Sequence, residues 1–288
     1  MRTFDISTLL TDIPKPLCEH NEPLKYSRKY KAECPVCQSF WDLNALKSSI
    51  VYDCNYPEMR SHFNPIKGKN KVKTLQGWLR ETHIELSASI VCEVGFGGGF
   101  CLQYLQKLSK QAFGVEAIPQ NIEHAVSLGI KRENLYLADE VPSLLPSRVD
   151  YWFFQDSFEH IPDPSTFMRW LLCNSSDSSK ILLVAPNSTS ISERVLGKFW
   201  LHRSADHCFH WSRKGLVDFF LKRGFVLECL FNTKKYISVK GVIAHATLLS
   251  NYPPVFRNLM RLTFPNIVIR FNFGEMGLLL GKRSNSGS

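Results

Sequence analysis

The stretch Glu93-Val-Gly95-Phe-Gly97-Gly-Gly99 decides the fold, because it lies between a predicted strand and a predicted helix. Residues 89–94 form an apolar, β-branched run of strand length, and residues 100–110 repeat apolar positions at helical spacing. Glycines at such a turn let a ligand approach the backbone, and the first amides of the following helix can bind it. The stretch therefore predicts a ligand-binding turn at the edge of a sheet.

Strands and helices alternate on the C-terminal side of this turn. Further strands are predicted over 112–116, 135–138, 149–154, 180–185, 225–230 and 277–281. Further helices are predicted over 120–128, 164–172 and 213–223. Alternation with short connections builds βαβ units with helices on both faces of the sheet. We expect an α/β fold with a doubly wound, mostly parallel seven-stranded sheet in which one strand is antiparallel.

The chain divides into three predicted parts. Residues 1–58 are rich in proline and poor in periodic segments, which predicts a small loop-rich appendage. Residues 59–86 form a basic lead-in, where Leu75 and Trp78 recur at helical spacing. Residues 87–288 form the main domain.

Length and composition restrict the class of protein. With 288 residues, 44% hydrophobic and 21% charged, the chain has a globular composition. No run approaches the ~18 apolar residues of a membrane span, and the N-terminus lacks the apolar centre of a secretory signal. Nine cysteines without such a signal indicate a reducing compartment, so we predict a cytoplasmic location.

Charge is distributed unevenly along the chain. The formal net charge is +9, yet residues 86–193 carry −5 and residues 231–288 carry +7. Net charge informs about partners rather than fold. The basic flanks favour an anionic acceptor, a nucleic acid or an anionic membrane surface, and a solvated basic surface fits them equally. No stretch has the arginine-rich or aromatic-interleaved pattern of an RNA-binding module, so we expect no nucleic-acid partner.

Acidic residues follow the strands next to the glycine turn. Glu116 ends the second strand, 21 residues after Gly95, and Asp139 follows the third. In this architecture an acid at the end of the second strand accepts hydrogen bonds from a ribose. The third glycine of the dinucleotide fingerprint is replaced by Phe100, and no phosphate-binding Gly-Lys-Ser/Thr is present. A cationic, phosphate-free nucleoside fits these residues best, and a nicotinamide-dependent oxidoreductase is a less favoured alternative.

The glycine stretch resembles the first motif of class I S-adenosylmethionine-dependent methyltransferases, E/D-x-G-x-G-x-G. Gly114-Val-Glu116 resembles their second strand. Glu159-His-Ile-Pro-Asp-Pro164 is similar to the fourth-strand motif of the branch that holds the ubiquinone-pathway O-methyltransferases and related small-molecule methyltransferases. The resemblance covers about residues 87–231, and more weakly the last fifteen.

This resemblance implies S-adenosyl-L-methionine as the cofactor. Glu116 would then hold the ribose hydroxyls, and Asp139 would bind the adenine amino group. Glu93 would orient the glycine turn or meet the amino group of the cofactor. The other implied cofactor residues border its methionine part or its reactive methyl group: Gly95, Phe96, Gly97, Gln155 and Asp156.

The resemblance also implies methyl transfer to a small-molecule acceptor. O-methylation is favoured, for example of an anionic sugar, a glycan precursor or another secondary metabolite. Segments 187–211 and 240–266 would lie on the acceptor side. RNA methylation and a cofactor-binding protein without transferase activity are alternatives.

Histidines and tryptophans supply the candidates for the acceptor side. His160 and His207 are candidate general bases, although a structural role fits His160 as well. The expected acceptor wall consists of Trp200, His207, His210 and Trp211.

Cys34-Pro-Val-Cys37 has the spacing of a zinc knuckle. A tetrahedral site needs two further ligands, and Cys18, His20 and Cys54 are available, although no second Cys-x-x-Cys occurs. We hypothesise a zinc site formed by Cys34, Cys37, Cys18 and His20; a redox pair is a less favoured alternative, because this segment does not open a helix after a strand.

A second possible metal site lies in the fourth-strand motif. Asp156, Glu159 and His160 resemble the cluster that holds a divalent ion in ubiquinone-pathway O-methyltransferases. Relatives with similar motifs work without metal, so we expect no divalent ion at the active site.

Overall fold

The computed structural model describes residues 15, 17–27, 31–45, 62–203, 207, 209–239 and 267–283. The predicted acceptor-side segment 240–266 and Cys54 lie outside the described residues. None of the described helices is long and apolar enough to cross a membrane.

Strands and helices follow one another much as the sequence predicts. The strands are β1 (Lys25–Ser27), β2 (Lys31–Glu33), β3 (Phe40–Asp42), β4 (Ile90–Val94), β5 (Gln111–Glu116), β6 (Leu135–Leu137), β7 (Val149–Gln155), β8 (Ser175–Pro186), β9 (Phe209–His210), β10 (Phe225–Phe231), β11 (Lys235–Ser238), β12 (Val268–Phe271) and β13 (Glu275–Lys282). The α-helices are α1 (Pro65–Glu81), α2 (Phe100–Leu108), α3 (Pro119–Ser127), α4 (Pro164–Asn174), α5 (Ile191–Leu196) and α6 (Arg213–Leu221).

Seven strands form the main sheet, in the order β10-β13-β8-β7-β4-β5-β6. The pairs β4–β5, β4–β7, β5–β6 and β7–β8 are parallel. Strand β13 is antiparallel to both of its neighbours, β8 and β10. This arrangement confirms the predicted doubly wound sheet. Because β4 lies between β5 and β7, the glycine turn that follows β4 lies at the point where the strand order reverses, which is where open α/β sheets bind ligands.

Apolar residues of the central strands cover both faces of the sheet. Along β7, Trp152 and Phe154 belong to one buried cluster, and Phe153 belongs to the other. Leu75 and Trp78 of α1 lie in the second cluster, which explains the helical spacing of apolar residues in the lead-in segment. Burying each large side chain contributes about 1.5–3 kcal/mol, so both layers stabilise the sheet.

The N-terminal appendage shares its core with the main domain. Strands β1, β2, β3 and β9 form a four-stranded antiparallel sheet, in which Phe40 pairs with His210 and Trp41 with Phe209. Trp41 also belongs to the same apolar cluster as Trp152 of β7. The main domain thus supplies one strand of the appendage sheet. The predicted boundary at residue 58 falls outside the described residues and stays a prediction.

Candidate active site

A cavity of about 990 Å³ opens at the carboxyl ends of β4, β5 and β7. Its walls come from the glycine turn, the first half of α1, the ends of these strands, several residues between 160 and 170, and Leu201, His202 and His207. The cavity therefore joins the predicted cofactor side to part of the predicted acceptor side.

The glycine turn has a backbone that other residues could not adopt without strain. Gly95 and Gly97 have φ angles of 71° and 55°, in the left-handed region. A Cβ atom on Gly95 would lie 2.5 Å from Cβ of Ser157, and one on Gly98 would lie 2.0 Å from the carbonyl oxygen of His62. The glycines are thus required by close packing on both sides of the turn.

Glu116, at the end of β5, holds this turn by hydrogen bonds. Its Oε2 accepts a hydrogen bond from the amide of Gly97 at 2.7 Å. Its Oε1 accepts from the amides of Ala117 and Ile118 at 2.8 and 3.1 Å. Burial raises the pKa of Glu116, and these amides oppose that shift. The side chain of Asn121 is a further hydrogen-bond partner of this carboxylate, which lines the cavity.

Glu93 is a buried carboxyl on the cavity wall with one unsatisfied oxygen. Its exposed fraction is 2%, and its Oε1 accepts a hydrogen bond from Nε2 of Gln155 at 2.8 Å. Its Oε2 has no hydrogen-bond partner among the described residues. Burial raises the pKa of Glu93 to about 8, although the charge of Lys71 opposes the shift. An orphan acceptor beside the glycine turn fits the cationic amino group of S-adenosylmethionine.

The first turns of α1 add residues that the sequence analysis missed. Asn64 caps this helix by accepting hydrogen bonds from the amides of Ile66 and Lys67, at 3.0 and 3.1 Å. Lys67 and Lys71 line the cavity on the α1 side. The sequence signal was the basic character of residues 59–80, which did not indicate which lysines face a ligand.

His62, before α1, also lines the cavity. Its Nδ1 lies 3.3 Å from Oδ1 of Asn121, and burial lowers its pKa to about 4. His62 is therefore a neutral residue at the glycine turn, and no sequence motif pointed to it.

Asp156 follows β7 in a left-handed conformation, with a φ angle of 54°. Its carboxylate oxygens accept hydrogen bonds from Nζ of Lys235 at 2.7 and 2.6 Å. The same Nζ lies 3.1 Å from Oε1 of Glu275. Burial lowers the pKa of Lys235, but the two carboxylates outweigh it and raise this pKa above its usual range. Lys235 comes from β11, outside every motif, and it fixes Asp156 at the cavity wall.

Two predicted candidate bases lie next to each other although they are 47 residues apart. Nε2 of His160 is 3.1 Å from Nε2 of His207. Nδ1 of His207 is 2.7 Å from the carbonyl oxygen of His202, so this nitrogen donates. When both rings are neutral, His207 therefore accepts at Nε2 and His160 donates. His160, His202 and His207 all line the cavity.

Other predicted site residues lie elsewhere. Asp139 is exposed after β6 and is not on the cavity wall, where Ala138 lies instead. Trp200, His210 and Trp211 are at most 1% exposed and do not line the cavity.

The reason for this difference on the acceptor side is β9. His210 pairs with Phe40 and stacks on its ring at 4.7 Å, so the strand turns these aromatic residues into the core. Of the four residues expected on the acceptor wall, His207 lies on the cavity.

The four hypothesised zinc ligands lie together. Their ligand atoms all lie within 4.8 Å of one another, and Cys18, Cys34 and Cys37 are buried. Sγ of Cys34 is 3.6 Å from Nδ1 of His20.

Glu159, His160 and His207 also place three ligand atoms within 4.8 Å of one another. The expectation that no divalent ion binds at the active site stays a prediction.

The fold and the glycine turn with its acidic partners are those of the class I methyltransferase fold. Residues 70–230 match the family model described as a methyltransferase domain, so the chain belongs to the methyltransferase domain family.

Comparisons with known proteins agree with this family. The chain is 26% identical over 114 residues to the ubiquinone biosynthesis O-methyltransferase of Bordetella parapertussis, covering 38% of this chain and 46% of that protein. The Xanthomonas euvesicatoria protein of the same name is 23% identical over 158 residues, covering 53% and 62%. The chain spans about half the length of the first curated relatives that it matches.

Solved structures show the same fold. The YcgJ protein of Bacillus subtilis has a TM-score of 0.51 and 16% identity, covering 73% of this chain and 98% of that one. A Bacillus halodurans protein named as a methyltransferase has a TM-score of 0.52 and 15% identity, covering 73% and 100%. At such identities the likeness concerns the fold alone.

Proposed function

We propose that this protein transfers the methyl group of S-adenosylmethionine to a hydroxyl oxygen of a small-molecule acceptor. The observation that carries the proposal is the continuity of the cavity. It is lined at the glycine turn by Glu93 and Glu116, and elsewhere by the His160–His207 pair. When bound, the cofactor supplies an electrophilic methyl group and a thioether leaving group.

The cofactor side of the cavity offers a partner for the ribose hydroxyls, the amino group and the carboxylate of such a ligand. Glu116 accepts hydrogen bonds from the ribose hydroxyls. Glu93 meets the amino group through its orphan oxygen, and Lys71 is the cation available for the carboxylate. The remaining proposed contacts are Gly95, Phe96 and Gly97 at the methionine part, and Gln155 and Asp156 beside the methyl group. Asp139, exposed next to Ala138, is proposed for the adenine amino group.

The paired histidines supply proton transfer. The acceptor oxygen forms the new bond to the methyl carbon as the sulfur–carbon bond breaks, and one imidazole of the His160–His207 pair takes the hydroxyl proton. The carbonyl of His202 holds the ring of His207 in one orientation. The chain contributes alignment and a base, which is what a displacement at a sulfonium requires.

The wall near these histidines favours an acceptor with an apolar or aromatic body. Ile161, Phe167, Trp170 and Leu201 line the cavity there. An anionic acceptor, such as a sugar or glycan precursor, is the second candidate, because Lys67 is another cation on the wall.

Calorimetric titration with S-adenosylhomocysteine tests the cofactor side. We expect micromolar-range binding that is lost in Glu116→Ala and kept in Glu133→Ala, which changes an exposed residue. Absence of binding to the folded wild-type protein would contradict the proposal.

Formation of S-adenosylhomocysteine with panels of phenols and of anionic sugars tests the acceptor side. We expect turnover with a phenol and at least a hundredfold lower kcat in His207→Gln, with cofactor binding unchanged. Turnover confined to anionic sugars would favour the second candidate. Binding of RNA that weakens steeply with salt would favour RNA methylation instead.

We also propose that Cys18, His20, Cys34 and Cys37 hold a zinc ion. Cysteine sulfur and histidine nitrogen in a set of four are typical structural zinc ligands. Zinc bonds of about 2.3 Å to sulfur and about 2.0–2.1 Å to nitrogen, at a tetrahedral angle, place the two atoms about 3.6 Å apart. The Cys34–His20 separation is 3.6 Å. Metal analysis should find one zinc per chain, lost in Cys34→Ser and kept in Cys173→Ser, which changes an exposed cysteine.

A further inference from the structure

The zinc ligands are joined to the segment that carries the cavity histidines. This segment, residues 187–212, begins at the end of β8 and ends at the N-cap of α6, and it contains His202 and His207. Its described residues are 187–203, 207 and 209–212. The appendage contacts it near both ends and in the middle, and each contact comes from a residue close in sequence to a zinc ligand.

The first contact joins the zinc knuckle to the end of the segment. Sγ of Cys37 lies 3.2 Å from Oγ of Ser39. Oγ of Ser39 donates to Oγ of Ser212 at 3.1 Å and accepts from the amide of Ser212 at 2.9 Å. Ser212 in turn caps α6 by accepting from the amide of Gly215 at 2.9 Å. A chain of buried hydrogen bonds therefore runs from a metal ligand to the start of α6.

The second contact joins the knuckle to the beginning of the segment. Oγ of Ser188 donates to the carbonyl oxygen of Gln38 at 2.9 Å. The amide of Ser188 donates to the carbonyl oxygen of Trp211 at 2.8 Å, so the two ends of the segment are also bonded to each other. Gln38 has a φ angle of 65°, a left-handed conformation at the residue directly after Cys37. The shape of the knuckle backbone thus decides where the carbonyl of Gln38 points.

Two buried ion pairs hold the middle of the segment. Lys31 of β2 pairs with Glu193 at 2.5 Å, and both side chains are at most 5% exposed. Asp42 of β3 pairs with Arg203, whose Nε donates to Oδ2 at 2.7 Å. Arg203 directly follows His202, whose carbonyl oxygen orients the ring of His207.

One of the proposed zinc ligands, His20, also contacts α6. Nε2 of His20 lies 3.3 Å from Oδ2 of Asp218, while Nδ1 of His20 faces Cys34. A carboxylate on the second nitrogen of a zinc-bound histidine orients the ring and strengthens the ligand. The residues that would fix the ion therefore belong to both the appendage and the main domain.

We infer that a zinc ion at this cluster clamps the described part of this segment, residues 187–203, 207 and 209–212, so that loss of zinc loosens these residues and leaves the cofactor site intact. The inference rests on the proposed zinc site. The glycine turn is held by Glu116 of β5 and packed against residues before α1, all outside the appendage. Zinc therefore acts on the positions of His202 and His207, and not on cofactor binding.

Hydrogen exchange of the full-length protein tests the clamp without knowledge of the acceptor. Protein as purified is compared with protein treated with a zinc chelator under reducing conditions, with zinc measured in both. We expect chelation to raise amide exchange in 188–193 and 209–216 at least tenfold. Exchange in β4 and β5, and the Kd for S-adenosylhomocysteine, should change less than twofold.

The variant Ser39→Ala separates the clamp from the metal itself, because it leaves all four ligands in place. It should keep one zinc per chain and still raise exchange in 209–216. Ser127→Ala, at an exposed serine that bonds within its own helix, is the matched control and should change neither.

The outcomes are distinguishable. If the purified protein contains zinc but hydrogen exchange does not change when the zinc is removed, the clamp is overturned and the metal site stands. Protein that binds no zinc, as purified or after zinc addition, would overturn both. Chelation that opens β4 and β5 equally and abolishes S-adenosylhomocysteine binding would show that zinc supports the whole fold, which also overturns the clamp. Zinc-loaded protein that does not bind S-adenosylhomocysteine would contradict the proposed cofactor site instead.

Discussion

Glu93 provides a direct test of the cofactor site, because its charge should change when the ligand binds. Its pKa of about 8, raised from 4.5 by burial, means that at pH 7 about nine-tenths of the free protein carries a neutral carboxyl here. A cationic amino group at the orphan oxygen would favour the ionised form. Binding should therefore release a proton.

The size of this effect follows from the two pKa values. If the ligand lowers the pKa of Glu93 to about 6, binding at pH 7 releases about 0.8 of a proton. The same shift makes binding about fivefold tighter at pH 7 than at pH 6, because less of the binding free energy is used to ionise the carboxyl. In Glu93→Gln neither effect should occur.

Calorimetry of S-adenosylhomocysteine binding at pH 7 measures the released proton directly. The observed enthalpy, plotted against the ionisation enthalpy of several buffers, should give a slope of about −0.8 for wild type, because the buffer takes up the released proton. The slope should be near zero for Glu93→Gln and stay unchanged for Glu123→Gln, an exposed glutamate on α3. Equal slopes for wild type and Glu93→Gln would refute the assignment of Glu93 to the amino group.

The same residue affects stability, and the sign is fixed by the raised pKa. A carboxyl whose folded pKa exceeds its unfolded value stabilises the folded state below about pH 4.5 and loses that contribution as pH rises through about 8. Glu93→Gln should therefore gain stability relative to wild type between pH 6 and pH 9, measured by urea unfolding. A constant difference across this range would contradict the buried, neutral carboxyl.

Three further substitutions test separate parts of the site. Glu116→Gln keeps the shape of the side chain but removes the negative charge that the glycine turn and the ribose share. The affinity for S-adenosylhomocysteine, measured by calorimetry, should therefore fall about tenfold to a hundredfold. An unchanged Kd would exclude the ribose role. Lys235→Met leaves two carboxylates without their cation and should cost about 3–5 kcal/mol in urea unfolding, whereas Lys234→Met, at an exposed position, should cost under about 0.5 kcal/mol. Gly95→Ala adds a Cβ 2.5 Å from Ser157 at a φ angle of 71°, so the thermal midpoint should drop by several degrees; a midpoint equal to wild type would mean that the turn rearranges freely.

The cofactor side could be predicted from the sequence because its signals are local. In a parallel sheet the residue that ends one strand lies beside the turn that follows its neighbour, so Glu116 had to lie near Gly97 once both strands were recognised. Part of the proposed zinc site could also be predicted from local sequence, since Cys34 and Cys37 are three residues apart. The fold then brings Cys18 and His20 to the same place.

The acceptor side could not be predicted to the same degree, because its residues are placed by long-range pairing. The register of Phe40 with His210 joins strands 170 residues apart, and no periodicity around residue 210 reveals it. Trp211, directly after β9, and Trp200, which packs beside His210, are buried, although the sequence predicts both on the cavity wall. Lys235 was missed for the same reason, since its function depends on Asp156, 79 residues earlier.

The charge of the cavity lining differs from the net charge of the chain, and this difference bears on the chemistry of the acceptor. The chain carries +9 overall, yet the cavity lining contains two lysines and four carboxyl residues: Lys67, Lys71, Glu93, Glu116, Asp156 and Asp163. Glu93 is neutral near pH 7, and Asp156 is paired with Lys235. The positive flanks can therefore attract an anion from a distance, but among the residues that the structure describes, no arginine or lysine lines the cavity beside the histidines. Burying an unpaired anionic group there would be costly. We therefore favour an acceptor whose reacting end is a neutral hydroxyl on an apolar body, with any negative charge on a part that stays near Lys67 or in solvent.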